Sequence, residues 1–216
     1  MNMSNTKNLL VELFVEELPP KALKKLGEVF AETLLDSLRG RDLAGNESLA
    51  TGFASPRRLA VHISSVLSTA PDKEVIEKLM PVSVAIKDGK PTDSFRKKLA
   101  KSGRETLADL WPNSTDGSDR LLVQSDGKVD AVYLRMLAKG GSLQVGLELS
   151  IEEALRALPI PKVMTYQLAD GWTTVNFVRP AHGLVALHGA EAVPLVILGL
   201  EAGRTTRGHR FEAAAD

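Results

Sequence analysis

The chain of 216 residues contains no cysteine. That absence excludes disulfides, thiolate metal ligands and a cysteine nucleophile, and it fits a reducing compartment. Aromatic residues are scarce at 5%, so a core has to be built from Leu, Val, Ile and Ala. No run of about 18 apolar residues occurs, which removes a membrane-spanning helix from the reading. Residues 2–8 are polar, and Glu12, Glu16 and Glu17 interrupt the apolar run behind them. A secretory signal does not look like this, and the expected location is the cytoplasm. An excess of either charge is lacking too, since 27 Lys and Arg balance 27 Asp and Glu. A uniformly basic protein that coats nucleic acid is thereby excluded, whereas a local basic patch is not. There is no GxxxxGK[ST] phosphate loop, no GxGxxG turn and no HExxH pair. The histidines at 62, 182, 188 and 209 are scattered, so no metal site is expected.

What is present is ordinary for a globular protein: 44% hydrophobic and 25% charged residues, enough for one large domain or two small ones. Leu9, Val11 and Leu13 alternate with Leu10, Glu12 and Phe14, which predicts a strand. Pro19 and Pro20 suit the first turn of a helix, where a missing N–H costs little. Leu23, Leu26, Phe30, Leu34 and Leu38 recur at three- and four-residue spacing, predicting an amphipathic helix over 21–38 closed by Gly40. Leu59, Val61 and Ile63 give a second strand. Two strands cannot cover the helix, so more sheet must come from later in the chain.

In the middle, residues 72–80 and 93–110 read as helical, with a turn at Asp88–Gly89. Residues 113–119 read as a mobile polar loop. Residues 121–124 and those after Gly127 can pair across Asp126–Gly127. Ser150 with Glu153 has the form of a capping box, predicting a helix that begins there and stops at Pro159. Past Pro161 the texture turns β-prone, at 173–178, 184–188 and 193–198. The expectation is an α+β fold of amphipathic helices on small mixed or antiparallel sheets. It is divided into an N-terminal domain over 1–158 and the truncated start of a β-rich domain over 159–216.

Glu16 and Glu17 read as exposed acids near a helix N-terminus rather than as a catalytic pair. Ser55-Pro56-Arg57-Arg58 holds two guanidiniums at the entry of a strand, suited to phosphate, or to an acid nearby. Residues 12–47 carry eight acids against five bases, whereas 162–210 carries Lys162, Arg179, Arg204, Arg207 and Arg210 against three acids. The segment 203–210, GRTTRGHR, sets three arginines, two threonines and His209 between glycines. Backbone N–H groups, hydroxyls and guanidiniums together can meet a phosphate backbone. The candidate phosphate-contacting set is Arg57, Arg58, Lys162, Arg179, Arg204, Arg207, His209 and Arg210. The competing view pairs one or two of the late arginines with Glu191 or Glu201.

Four phrases carry a resemblance: Leu9–Glu12 running on to Glu16-Glu17-Leu18-Pro19-Pro20; Ser55-Pro56-Arg57-Arg58-Leu59-Ala60-Val61; Leu158-Pro159-Ile160-Pro161-Lys162-Val163-Met164 with Phe177-Val178-Arg179-Pro180; and Gly203-Arg204-Thr205-Thr206 with Gly208-His209-Arg210-Phe211. In this order the chain resembles the β subunit family of bacterial two-subunit glycyl-tRNA synthetase. It departs at Phe14-Val15, where the family often has a smaller, glycine-containing pair, and at Tyr166, where tryptophan is common. No family phrase covers 113–119. The resemblance implies an N-terminal fragment of a non-catalytic, tRNA-binding subunit of an α2β2 ligase, inactive by itself. ATP with Mg is expected on the α subunit, none is expected on this chain, and the implied partners are the α subunit and tRNA(Gly). The alternative it leaves open is an interaction module that braces the α subunit while missing C-terminal domains hold the tRNA. An editing hydrolase ranks last, having no nucleophile or metal signature.

Overall fold

A computed structural model of the chain describes residues 6–125, 127, 129–160, 163–168 and 170–208. The fold is α+β, and the chain divides into two compact units, one made of Met1–Ala70 with Gly141–Asp216 and the other of Pro71–Gly140.

The first unit is organised by β1 (Thr6–Val15). Leu9, Val11, Leu13 and Val15 turn to one side and are buried, the outcome that period-two alternation demands of a strand covered on one face. β1 pairs antiparallel with β3 (Arg58–Leu67) on one side and with the strand Ala181–His188 on the other. β2 (Ala50–Ser55) closes one edge, and the short strands Leu200–Gly203 and Val196–Ile197 extend the other. The Leu200–Gly203 strand runs parallel to Ala181–His188, so the sheet is mixed. The later strands thus complete the first sheet. The boundary expected at 158/159 therefore falls inside a compact unit, and the units divide instead at 70/71 and 140/141.

Helix α1 (Leu23–Gly40) follows a single 3-10 turn, Pro20–Ala22. Leu26, Phe30, Leu34 and Leu38 are fully buried, whereas Leu23 at the first turn is half-buried. Gly40 does not make the helix stop. The left-handed residue is Asp42, at φ 58°, with Asp42 N–H donating to Arg39 and Leu43 N–H to Leu38. That is a Schellman arrangement with Asp42 at C′, and Leu38 and Leu43 are both buried around it.

The helix lies close on β2. A Cβ added to Gly52 would sit 2.6 Å from the Gly27 carbonyl oxygen and 3.0 Å from the Ala31 Cβ, so small residues set the helix–sheet spacing there.

A second helix, Leu143–Ala157, packs beside α1. It is capped by Ser142, whose hydroxyl accepts from Val145 N–H, so it starts about two turns before the capping-box pattern at Ser150. Ser150 lies in its interior, buried, donating to the Gly146 carbonyl at 2.7 Å. Glu153 is used elsewhere: Arg41 reaches it at 2.7 Å and the Ser37 hydroxyl at 2.5 Å, joining the two helices. The Arg41 guanidinium first, then Ser37, holds the Glu153 carboxyl below its ordinary value of 4.5. A depressed carboxylate stabilises the fold above its unfolded pKa, and the contribution is lost as pH falls through the folded value. Thermal melts from about pH 5 to 3 are expected to show a steeper fall for the parent than for Glu153→Gln. Parallel falls would remove the link.

In the second unit, Lys73–Pro81 is a strand and not the helix expected over 72–80. Its partner Asp130–Ala138 decides the matter, pairing along its whole length with an irregularity between Lys78 and Met80. β-branched Val75 and Ile76 suit that pleated surface. The sheet order is Lys73–Pro81, Asp130–Ala138, Asp119–Ser125, Thr115–Asp116, all antiparallel. The hairpin expected after 121–124 is therefore present, with Asp126 and Lys128 outside the described residues. The helix expected over 93–110 is broken in two, Asp93–Ala100 and Thr106–Asp109, around Gly103 at φ 69°. Phe95, Leu99, Leu107 and Ala108 pack on Leu121, Val132 and Leu134 to form this unit's own core. Within 113–119, Thr115–Asp116 is paired with 119–120, so part of the loop belongs to the sheet edge.

Candidate nucleic-acid interface

Hydrogen bonding at the C-terminal end of β1 gathers segments that are distant in sequence. Val15 N–H donates to the Arg57 carbonyl at 3.0 Å, Leu18 N–H to Pro56 at 2.6 Å and Glu16 N–H to Pro180 at 3.0 Å. The 16–20, 55–58 and 178–182 segments therefore form one rim. Arg57 stands 3.6 Å from Glu17, both side chains more than half exposed. Arg179 donates from Nε to the Glu17 carbonyl at 3.3 Å, with Nη1 3.1 Å from Met164 Sδ. His182 Nε2 is 3.5 Å from Glu16. The two acids that read as merely solvated are the counter-charges of this rim. An exposed ion pair contributes only about 0–1 kcal/mol, so Glu17 holds Arg57 weakly.

Arg58 has a different role. Its Nε is 2.6 Å from Glu12 Oε1, its guanidinium lies 4.8 Å from the Phe14 ring centroid, and Nη2 donates to the Arg207 carbonyl. Glu12 is only 6% exposed, although it points to the face opposite the Leu9–Val15 core. There Arg58 on one oxygen and the Thr206 hydroxyl, 2.8 Å from the other, replace its water. The 204–208 segment is thus latched across the sheet. Its Arg204 and Arg207 side chains are exposed. Arg204 reaches the Ala190 carbonyl at 3.5 Å, toward the end of β1 away from the rim, because Leu9 at the start of β1 pairs with His188. Among the described residues, neither Glu191 nor Glu201 pairs with it.

The eight candidate residues are therefore placed unequally. Arg57 and Arg179 share the rim, Arg58 and the Arg207 backbone form the latch above it, and Arg204 leans away. Lys162, His209 and Arg210 lie outside the described residues. Sequence reasoning missed Glu12 and Thr206, whose only signal is an acid breaking an apolar strand. The His188 side chain is buried, with Nε2 2.8 Å from the Val66 carbonyl, a core histidine satisfied by a backbone acceptor. Beyond the rim, the hairpin of Met164–Gln167 with Thr174–Phe177 carries Trp172 at its turn, 89% exposed.

Among the described residues no group of three or more His, Asp and Glu is placed to hold a metal ion, and no helix is long and apolar enough to cross a membrane. The α+β sheet thus ends in a rim that exposes Arg57 and Arg179 beside Glu16 and Glu17. Comparison with known proteins gives the family. Residues 9–216 match the family described as glycyl-tRNA synthetase beta subunit, and the chain belongs to that family. It is 56% identical over 213 residues to the glycine–tRNA ligase beta subunit of Dechloromonas aromatica (strain RCB), covering 98% of this chain and 29% of that protein. It is 58% identical over 208 residues to that of Leptothrix cholodnii, covering 96% and 28%. The chain thus spans less than a third of the length of these relatives.

Proposed function

We propose that this chain is an RNA-contacting, non-catalytic part of a glycine–tRNA ligase, acting in the cytoplasm beside an α subunit that carries ATP with Mg and glycine in an α2β2 assembly. The observation that carries the reading is the rim at the end of β1. Three of the four family phrases converge there, and they present Arg57 and Arg179 with the latched 204–208 arm close by. The charging reaction is assigned to the other subunit, because this sequence holds no phosphate loop or dinucleotide turn. A second reading has its own support: exposed Trp172, with Val163 and Met164 also exposed, is the kind of aromatic and methionine surface that protein interfaces favour. In that reading the chain braces the α subunit.

Titration of the purified chain with tRNA(Gly) separates the two. Affinity falling at least tenfold between about 50 and 200 mM salt is the expected result. Capture of the α subunit with no tRNA binding at either salt would favour the brace.

A further inference from the structure

The two faces of the sheet in the 71–140 unit differ in chemistry. Leu121, Val132 and Leu134 turn to the helices and are buried with Phe95 and Leu99. Strand alternation puts Tyr133 and Arg135 on the other face, opposite Leu122 and Arg120 in one ladder and Lys78 and Ile76 in the other. That face is open. Lys78, Arg120 and Arg135 are exposed, Ile76 is 52% exposed, and Leu122 and Tyr133 are half-buried.

Its charge pattern points to an anion. Arg120 and Arg135 are directly opposed across the ladder, a placement that brings side chains within about 5 Å at Cβ and is destabilising for like charges. Glu74 pairs with Arg135, and no comparable acid partners Arg120 among the described residues. A phosphate lying between the two guanidiniums would turn that repulsion into two charge-assisted hydrogen bonds. The neighbouring Tyr133 and Leu122 supply an aromatic and an aliphatic surface in the middle of the same face. A flat sheet does not enter the deep groove of an A-form helix, but it accommodates splayed bases stacked on aromatic side chains.

We propose that this face is a platform for an unpaired stretch of RNA, with a base stacked on Tyr133 and the flanking phosphates on Arg120 and Arg135. The proposal rests on the RNA-contacting reading above but concerns a separate surface from the Arg57–Arg179 rim.

The test is fluorescence anisotropy of a short labelled oligouridylate and of tRNA(Gly) against the full chain, at several salt concentrations. The parent is expected to bind the oligonucleotide. Arg120→Ala lowers the slope of log K against log salt by about 0.7, one single-strand phosphate contact. Tyr133→Leu weakens binding about 5- to 100-fold without changing that slope. Should Tyr133→Leu melt early, Arg120→Ala decides alone, since its side chain is exposed. If Arg120→Ala and a folded Tyr133→Leu bind like the parent while Arg57→Ala and Arg179→Ala weaken tRNA, the platform is wrong and the RNA reading stands. Absence of binding to either RNA overturns both.

Discussion

Phe30→Ala is expected to cost about 3–5 kcal/mol of stability, as large-to-small changes at fully buried aromatic positions do. Phe30 has no exposed surface and sits midway along the buried stripe of α1, between Leu26 and Leu34 in the main core cluster. Two neighbours limit any collapse into the vacated space. The Gly27–Gly52 approach already brings helix and sheet as near as backbone allows, and the Arg41–Glu153 pair ties α1 to the helix beside it. Chemical denaturation checks the value, with a shift below about 1 kcal/mol showing that the helix does not rest on the sheet as described.

The second large effect is expected at Glu12. Removing one partner of a fully buried ion pair costs about 3–5 kcal/mol because the other charge is stranded. Arg58 keeps about a third of its side chain exposed, so water recovers part of the loss and Glu12→Ala is expected to cost about 2–3 kcal/mol. The informative readout is local. With Arg58 and Thr206 released, the 204–208 arm loses its hold on the sheet, and trypsin is expected to cut after Arg204 and Arg207 much faster than in the parent. Glu12→Gln, which retains an acceptor for Thr206, falls between. Equal cleavage of all three proteins would show that the latch does not hold the arm.

The parts of this fold that could be read in advance are those in which local pattern and tertiary burial agree. The stripe Leu26–Phe30–Leu34–Leu38 belongs to a helix in any context, and Leu59, Val61 and Ile63 alternate as a strand with one covered face. Lys73–Pro81 misled because Val75, Ile76, Leu79 and Met80 fit a helical stripe locally, and only pairing with a strand about sixty residues away selects the extended form. The insertion of 71–140 was invisible for a related reason. Composition does not change at Pro71 or at Gly140–Gly141, and the Ala181–His188 strand announces its β character without announcing that β1 is its neighbour. The candidate site followed the same rule. Arg57 and Arg179 were recognisable as cations, but the register of β1 with β3 and with Ala181–His188 is what brings them to one rim. Arg58, next in sequence to Arg57, was read with it. Arg57 lies in the turn ahead of β3 whereas Arg58 begins the strand, so the two side chains go to different places, one to solvent and one onto Glu12.

The central claim is that the rim meets tRNA phosphates, and the most direct measurement is the salt dependence of tRNA(Gly) binding by the parent and by Arg57→Ala/Arg179→Ala. Both side chains are exposed, so the double variant is expected to melt within about 1 kcal/mol of the parent. The account predicts weaker binding with a slope of log K against log salt shallower by about 1.4–1.8, the release of two phosphate contacts. A parent-like slope in the folded double variant would contradict it.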